Sequence, residues 1–269
     1  MFGLFSTKPL LDEGSTLWIF EAYAWAFRNF GSDILHHDTI LVTPSNRHFP
    51  EQARSAEEIV STSFQRVIAY AGMQNWPCQP VPVTACSEQP VTAIQISHAP
   101  RGPAAAISVS GASTNIPVAF DAHQVRKPHV LIAIFAQELA KHLGATAQEI
   151  PPGGEQLRPV AYDLLAVFMG FGLFLANSAL EVGKGGCSGC GVSVQRLGNL
   201  TEEEATYALA VFCALKDIQA DEVEPHLKKT LRAFFRKAVK EITHSKTEQV
   251  LGLRNLKHPL KPALSHDMS

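Results

Sequence analysis

Val130-Leu131-Ile132-Ala133-Ile134-Phe135-Ala136-Gln137-Glu138-Leu139-Ala140-Lys141-His142 reads as a helix that is apolar on nearly every side until one tight polar group near its end. A helix that is apolar all round belongs in a core, so its polar side chains must be paired, bound to something or directed at a cavity. Glu138 and His142 are four residues apart, as are Gln137 and Lys141, so each pair projects from one side of the helix a turn apart. Pro128, just upstream, stands where a first helical residue is expected.

Downstream, residues 164–176 form an uninterrupted run of thirteen apolar or glycine residues, bordered by Asp163. A bilayer span needs about 20 residues, so the run predicts a second buried helix and not a membrane segment. Thr201-Glu202-Glu203-Glu204 predicts a capping box opening a helix through Leu215. A last helix is expected from near Glu222, with Leu227, Leu231, Phe234, Phe235, Ala238 and Ile242 on its apolar side and Lys228, Lys229, Arg232, Arg236 and Lys240 on its basic side. From Ser245 the periodicity weakens and prolines follow, so residues 246–269 read as a docked or disordered tail.

Upstream, residues 17–30 form an aromatic-rich helical stretch that Asp12, Ser15 or Thr16 could cap. Ile40-Leu41-Val42 looks like a short strand, and Ser55-Ala56-Glu57-Glu58 like a capping box that opens an amphipathic helix ending near Gly72. Between residues 81 and 120 short alternating runs, punctuated by proline and glycine, predict strands of a small, partly antiparallel sheet. The expected fold class is α+β, a small mixed sheet in the N-terminal half and a mainly helical C-terminal half around the buried central helix. One domain, residues 1–245, accounts for it: a mixed part at 1–125 and a helical part at 126–245.

The 46% hydrophobic and 18% charged content is that of an ordinary globular protein, and a net charge of -2 offers no global attraction to nucleic acid or anionic lipid. Cys78, Cys86, Cys187, Cys190 and Cys213 are odd in number, and no export signal is legible at the N-terminus, so a reducing, cytoplasmic setting is expected. Cys187-Ser188-Gly189-Cys190 lies in a glycine-rich stretch. Free thiols on a loop are favoured there over an oxidation-sensitive disulfide, and that over a metal knuckle, since no second ligand pair lies nearby.

Residues 137–141, Gln137-Glu138-Leu139-Ala140-Lys141, resemble the His-Glu-Leu-Ala-His helix of a zincin-like group of bacterial proteins, with both histidines replaced and the glutamate kept. The resemblance extends through Asp163-Leu164-Leu165-Ala166-Val167-Phe168-Met169-Gly170-Phe171-Gly172 to Asn177, and through Arg196-Leu197-Gly198-Asn199-Leu200-Thr201 to Ala210. It implies a zincin-like fold in which Glu138 occupies the general-base position and Asp163 the place of a third metal ligand. A primary amide is a poor zinc ligand, and an ammonium must lose a proton before it can bind a cation at all. Gln137, Glu138, Lys141 and Asp163 therefore read as a vestigial site without metal, in which Lys141 would sit near Glu138 and Asp163 and offset their charge. The competing reading is an altered zinc site of Glu138, His142 and Asp163, although His142 is rotated by about 100° from the motif position. A plainer role for His142 is contact with free carbonyls at the helix end.

These readings point to a non-catalytic, pseudoenzyme-like module that binds another protein in a regulatory or immunity-type role, with the basic residues Lys228, Lys229, Arg232 and Arg236 as a candidate binding face. A metal-dependent hydrolase is the alternative. Nucleic-acid and membrane partners are not expected.

Overall fold

The computed structural model describes residues 8–85, 93–111, 115–183 and 193–256. Helix α1, Glu13–Phe30, starts where Asp12 accepts the Ser15 N–H at 2.9 Å, four residues before the aromatic run that signals it. Tyr23 and Trp25 are buried and Trp18 is half-buried, and their polar tips find carbonyls: Trp18 Nε1, Tyr23 Oη and Trp25 Nε1 donate to Pro152, Ala208 and Glu149, each at 2.8 Å. Helix α2, Ala56–Tyr70, is capped by the Ser55 hydroxyl. The Glu58 carboxylate accepts from Arg54 N–H at 2.6 Å instead of from Ser55, so only half of the expected capping box forms.

The strands pair two by two. β1, Cys78–Pro82, runs parallel to β4, Ile116–Phe120, whereas β2, Ala93–Ile96, and β3, Ile107–Ser110, form a separate antiparallel ribbon. Pro80, Pro82 and Pro117 lack N–H groups, which keeps the first pair from growing into the single mixed sheet expected from the pattern. Ile40-Leu41-Val42 forms no strand. A third ribbon, β5 (Leu180–Gly183) with β6 (Ser193–Arg196), is an addition that alternation did not reveal. Cys86, Cys187 and Cys190 lie outside the described residues, as does most of the glycine-rich stretch.

Helix α3, Pro128–Gly144, is the central helix, with Pro128 in its first turn. It packs against α2, β4, α4 (Arg158–Ala166) and α5 (Gly172–Ser178). The expected single helix over 164–176 is interrupted by a π turn, Val167–Phe171, in which Gly170 adopts φ +99°. A Cβ at Gly170 would stand 2.1 Å from the Ile40 carbonyl, so glycine admits the 39–42 segment, and the Gly170 carbonyl accepts Val42 N–H at 2.9 Å. The continuous run Glu155–Ser178 is long and apolar enough to cross a membrane, yet 83% of its most apolar window is buried inside the fold, where it serves as core.

Helix α6, Glu202–Leu215, opens with the complete Thr201–Glu204 capping box and packs against α5 on one side and α8, Lys229–Ser245, on the other. Pro225 breaks the expected last helix: α7 covers only Ala220–Val223, a 3-10 turn takes Glu224–His226, and α8 then buries Leu231, Phe235, Ala238 and Ile242. Helix α9, Thr247–Arg254, falls within the stretch read as tail and docks on α1, α6 and α8 through Val250 and Leu253. The class is α+β: the described residues are 60% helical with three two-stranded ribbons, so their core rests on helix packing and not on a sheet.

Candidate functional site

Asp163, on α4, is 3% exposed and its two oxygens are fully engaged. Gln137 Nε2 of α3 donates to Oδ1 at 2.9 Å. Oδ2 receives the backbone N–H of Asn199, the Asn199 Nδ2 at 3.2 Å and the Leu200 N–H at 3.3 Å. Burial pushes the Asp163 carboxyl above its ordinary pKa, and the bonds from Asn199, Gln137 and Leu200 oppose that rise. The loop can deliver these donors because Gly198 adopts φ +83°. A Cβ there would lie 2.4 Å from Gln137 Nε2 and 2.8 Å from Asp163 Oδ2. Two helices and a loop thus converge on one carboxylate, which is satisfied by neutral donors.

Glu138, Lys141 and His142 are directed elsewhere. Lys141 Nζ pairs with Glu138 on the same helix, with side chains 49% and 22% exposed, and such a pair is worth about 0–1 kcal/mol. Lys141 does not lie between Glu138 and Asp163 as the sequence suggested, because Gln137 takes the contact to Asp163. His142 Nε2 lies 2.9 Å from the Pro117 carbonyl of β4, so it ties the helix to a strand and does not serve a helix-end carbonyl. Burial lowers its pKa, against the pull of the Pro117 carbonyl and Glu138, and Nε2 donates to that carbonyl.

The chemistry of this donor set does not fit a zinc centre. The amide and the ammonium occupy the positions that the resemblance gives to histidines. Of the alternative set, Asp163 is held by amide donors and His142 by a strand carbonyl. Among the described residues, no group of three His, Cys, Asp or Glu side chains is arranged to hold a metal ion.

The basic residues of α8 carry structural duties. Arg236 is bidentate to Glu224, with Nε 2.9 Å from both carboxylate oxygens, and Arg232 Nε donates to the Leu227 carbonyl at 3.2 Å. Lys228 Nζ donates to the Leu180 carbonyl at 3.2 Å, while Lys229 is exposed at the start of the helix. Arg232 and Arg236 therefore brace the corner that Pro225 creates, and Lys228 ties the start of α8 to Leu180 of β5.

Sequence reasoning missed Arg101. It lies in Pro100-Arg101-Gly102-Pro103, which reads as an exposed loop, but it is 1% exposed. Its Nη2 donates to Thr39 Oγ1 and its Nη1 to the Ala71 carbonyl at 3.4 Å; its face lies over the Phe168 ring, 5.5 Å from the centroid. Nε has no hydrogen-bond partner, and among the described residues no carboxylate lies within ion-pair distance. Burial brings its pKa down to about 10, with Asp38 pulling the other way. Arg101 lines a cleft of about 370 Å³ together with Asp38, Thr39, Ile40, Gly72, Gln74 and Pro103.

The chain matches no protein-family model, no curated protein and no solved structure, so its residues and their geometry carry the functional argument.

Proposed function

We propose that this protein is a non-catalytic relative of the zincin-like group, a cytoplasmic module that works by binding another protein. One observation carries the reading: Gln137 Nε2 donates directly to Asp163 Oδ1 at 2.9 Å. These are the positions that the resemblance assigns to a first helix ligand and to the third ligand. An amide-to-carboxylate bond there performs the structural work of a bridging cation while supplying no Lewis acid and no activated water. Glu138 keeps the base position but is paired with Lys141 toward solvent. A scaffold retained without its chemistry acts through a surface, and the candidate is the face that carries Lys228, Lys229, Arg232 and Arg236. The free thiols Cys78 and Cys213 accord with a reducing compartment.

The test restores what is missing. The double variant Gln137→His, Lys141→His should take up about one zinc per chain on an Asp163-dependent basis, while the natural protein should bind none when dialysed against zinc and measured by elemental analysis. Chelator-sensitive peptide cleavage by the natural protein, abolished by Glu138→Gln, would replace this reading with the altered hydrolase. For the binding face, Lys229→Glu is the informative change, because Arg232 and Arg236 also hold the α7–α8 corner and Lys228 bonds the Leu180 carbonyl.

A further inference from the structure

We propose that the cleft around Arg101 binds a small organic anion, seating a carboxylate or phosphate group on the Arg101 guanidinium. A guanidinium carries five N–H donors, and two are engaged here, by Thr39 and Ala71. Three N–H groups and a full positive charge are therefore held out of water with no ion-paired carboxylate among the described residues. Such a charge is costly in a fold unless something of opposite sign completes it. Arg101 lines the cleft while only 1% exposed, so an anion that reached its guanidinium would meet it out of water. The planar fork suits bidentate oxyanions, and Thr39 and the Phe168 ring fix its plane.

The surroundings narrow the ligand. A volume of about 370 Å³ is that of a small-molecule site, larger than a bare ion requires. Asp38 is exposed and lines the same cleft, so a second anionic group on the ligand would be repelled. The preferred class is a molecule with one anionic end, which disfavours nucleic acid and other polyanions. The walls also include irregular helical geometry. They take in Ile34 and Asp38 of the π turn Ile34–Asp38, whose Leu35 and His36 carbonyls accept from Lys216 Nζ at 2.8 and 2.6 Å, and Thr39 and Ile40 of the segment that leans on the π turn Val167–Phe171. Breaks of this kind in helical geometry concentrate at functional sites.

The test uses the full chain, titrated with sodium acetate in one arm and inorganic phosphate in the other, at constant ionic strength made up with chloride. A saturable rise in melting temperature in either arm is expected, and the responding arm identifies the head group. Asp38→Asn, a change at an exposed position, should tighten the apparent dissociation constant by about threefold, the effect of one nearby charge removed. Gln74→Glu, also exposed on the cleft wall, should weaken it, and Arg101→Met should abolish the response. If Arg101→Met does not fold, the opposite signs of the two exposed variants still decide the matter. Absence of a saturable response in both arms, or a response that neither Asp38→Asn nor Gln74→Glu alters, overturns the proposal.

Discussion

At the scale of single residues, Asp163 depends on donors from two other elements, and removing one leaves a buried acceptor unmet. Gln137→Leu keeps the volume and deletes the amide, so the fold should lose about 1–3 kcal/mol in urea denaturation; a smaller loss would mean that water or a turned Asn199 replaces the bond. Because the Asp163 carboxyl is raised above its unfolded value of 3.8, the native state holds its proton more tightly than the unfolded state does. Its ionisation therefore costs stability as pH rises from that value through the raised one. Asp163→Asn should flatten this part of the stability profile, and an unchanged slope would assign it to other groups. Asp163 was legible in the sequence because the resemblance gives it the place of a third ligand, at the border of thirteen apolar residues. Asn199 and Gly198 were legible only as part of a resembling stretch, since their donors reach Asp163 from 36 residues away. Arg101 was illegible because its proline and glycine neighbours describe a loop, and neither periodicity nor composition says that a loop dives into a core.

Among the elements, α1, α2, α3 and α6 announced themselves by caps and apolar spacing, signals that are local and hence readable. What escaped reading depended on contacts distant in sequence. The break in the 164–176 helix exists because the 39–42 segment inserts its carbonyl against Gly170, and nothing in the apolar run itself encodes that meeting. Strand pairing failed to be legible for the same reason: alternation marks a strand, but the partner of β1 lies more than 30 residues downstream, past another ribbon. Gly170→Ala forces a side chain into φ +99° and into the Ile40 carbonyl, so it should destabilise the protein by about 2 kcal/mol or more. Gly252→Ala, in α9 with open space around its Cβ position, is the matched control and should be neutral or slightly stabilising in the same denaturation series.

For the molecule as a whole, three histidines on separate elements have their pKa lowered by burial. His142 reaches the Pro117 carbonyl from α3, His36 stacks on Phe27 from the π turn at 34–38, and His48 accepts the Thr43 N–H at Nδ1 in the loop before α2. Desolvation is the first cause of the lowered pKa in each, joined at His36 by Lys216 and Arg254 and at His48 by Arg47. A histidine whose folded pKa lies below its unfolded value of 6.5 gives stability that is present above that value and is lost as pH falls through the folded one. Asp163 acts in the opposite sense, since acidification relieves its burial, but its window opens upward from 3.8. Between pH 7.5 and about 5.5 the histidines should dominate, so the urea midpoint should fall on acidification while the native fold persists. Histidine ring resonances followed by NMR through that range should show these three titrating below 6.5. His142→Gln, whose amide can still donate to the Pro117 carbonyl, should remove part of the slope and leave the midpoint at pH 7.5 nearly unchanged. A midpoint that holds or rises as pH drops would mean that buried carboxylates such as Asp163, and not the histidines, set the acid behaviour of the fold.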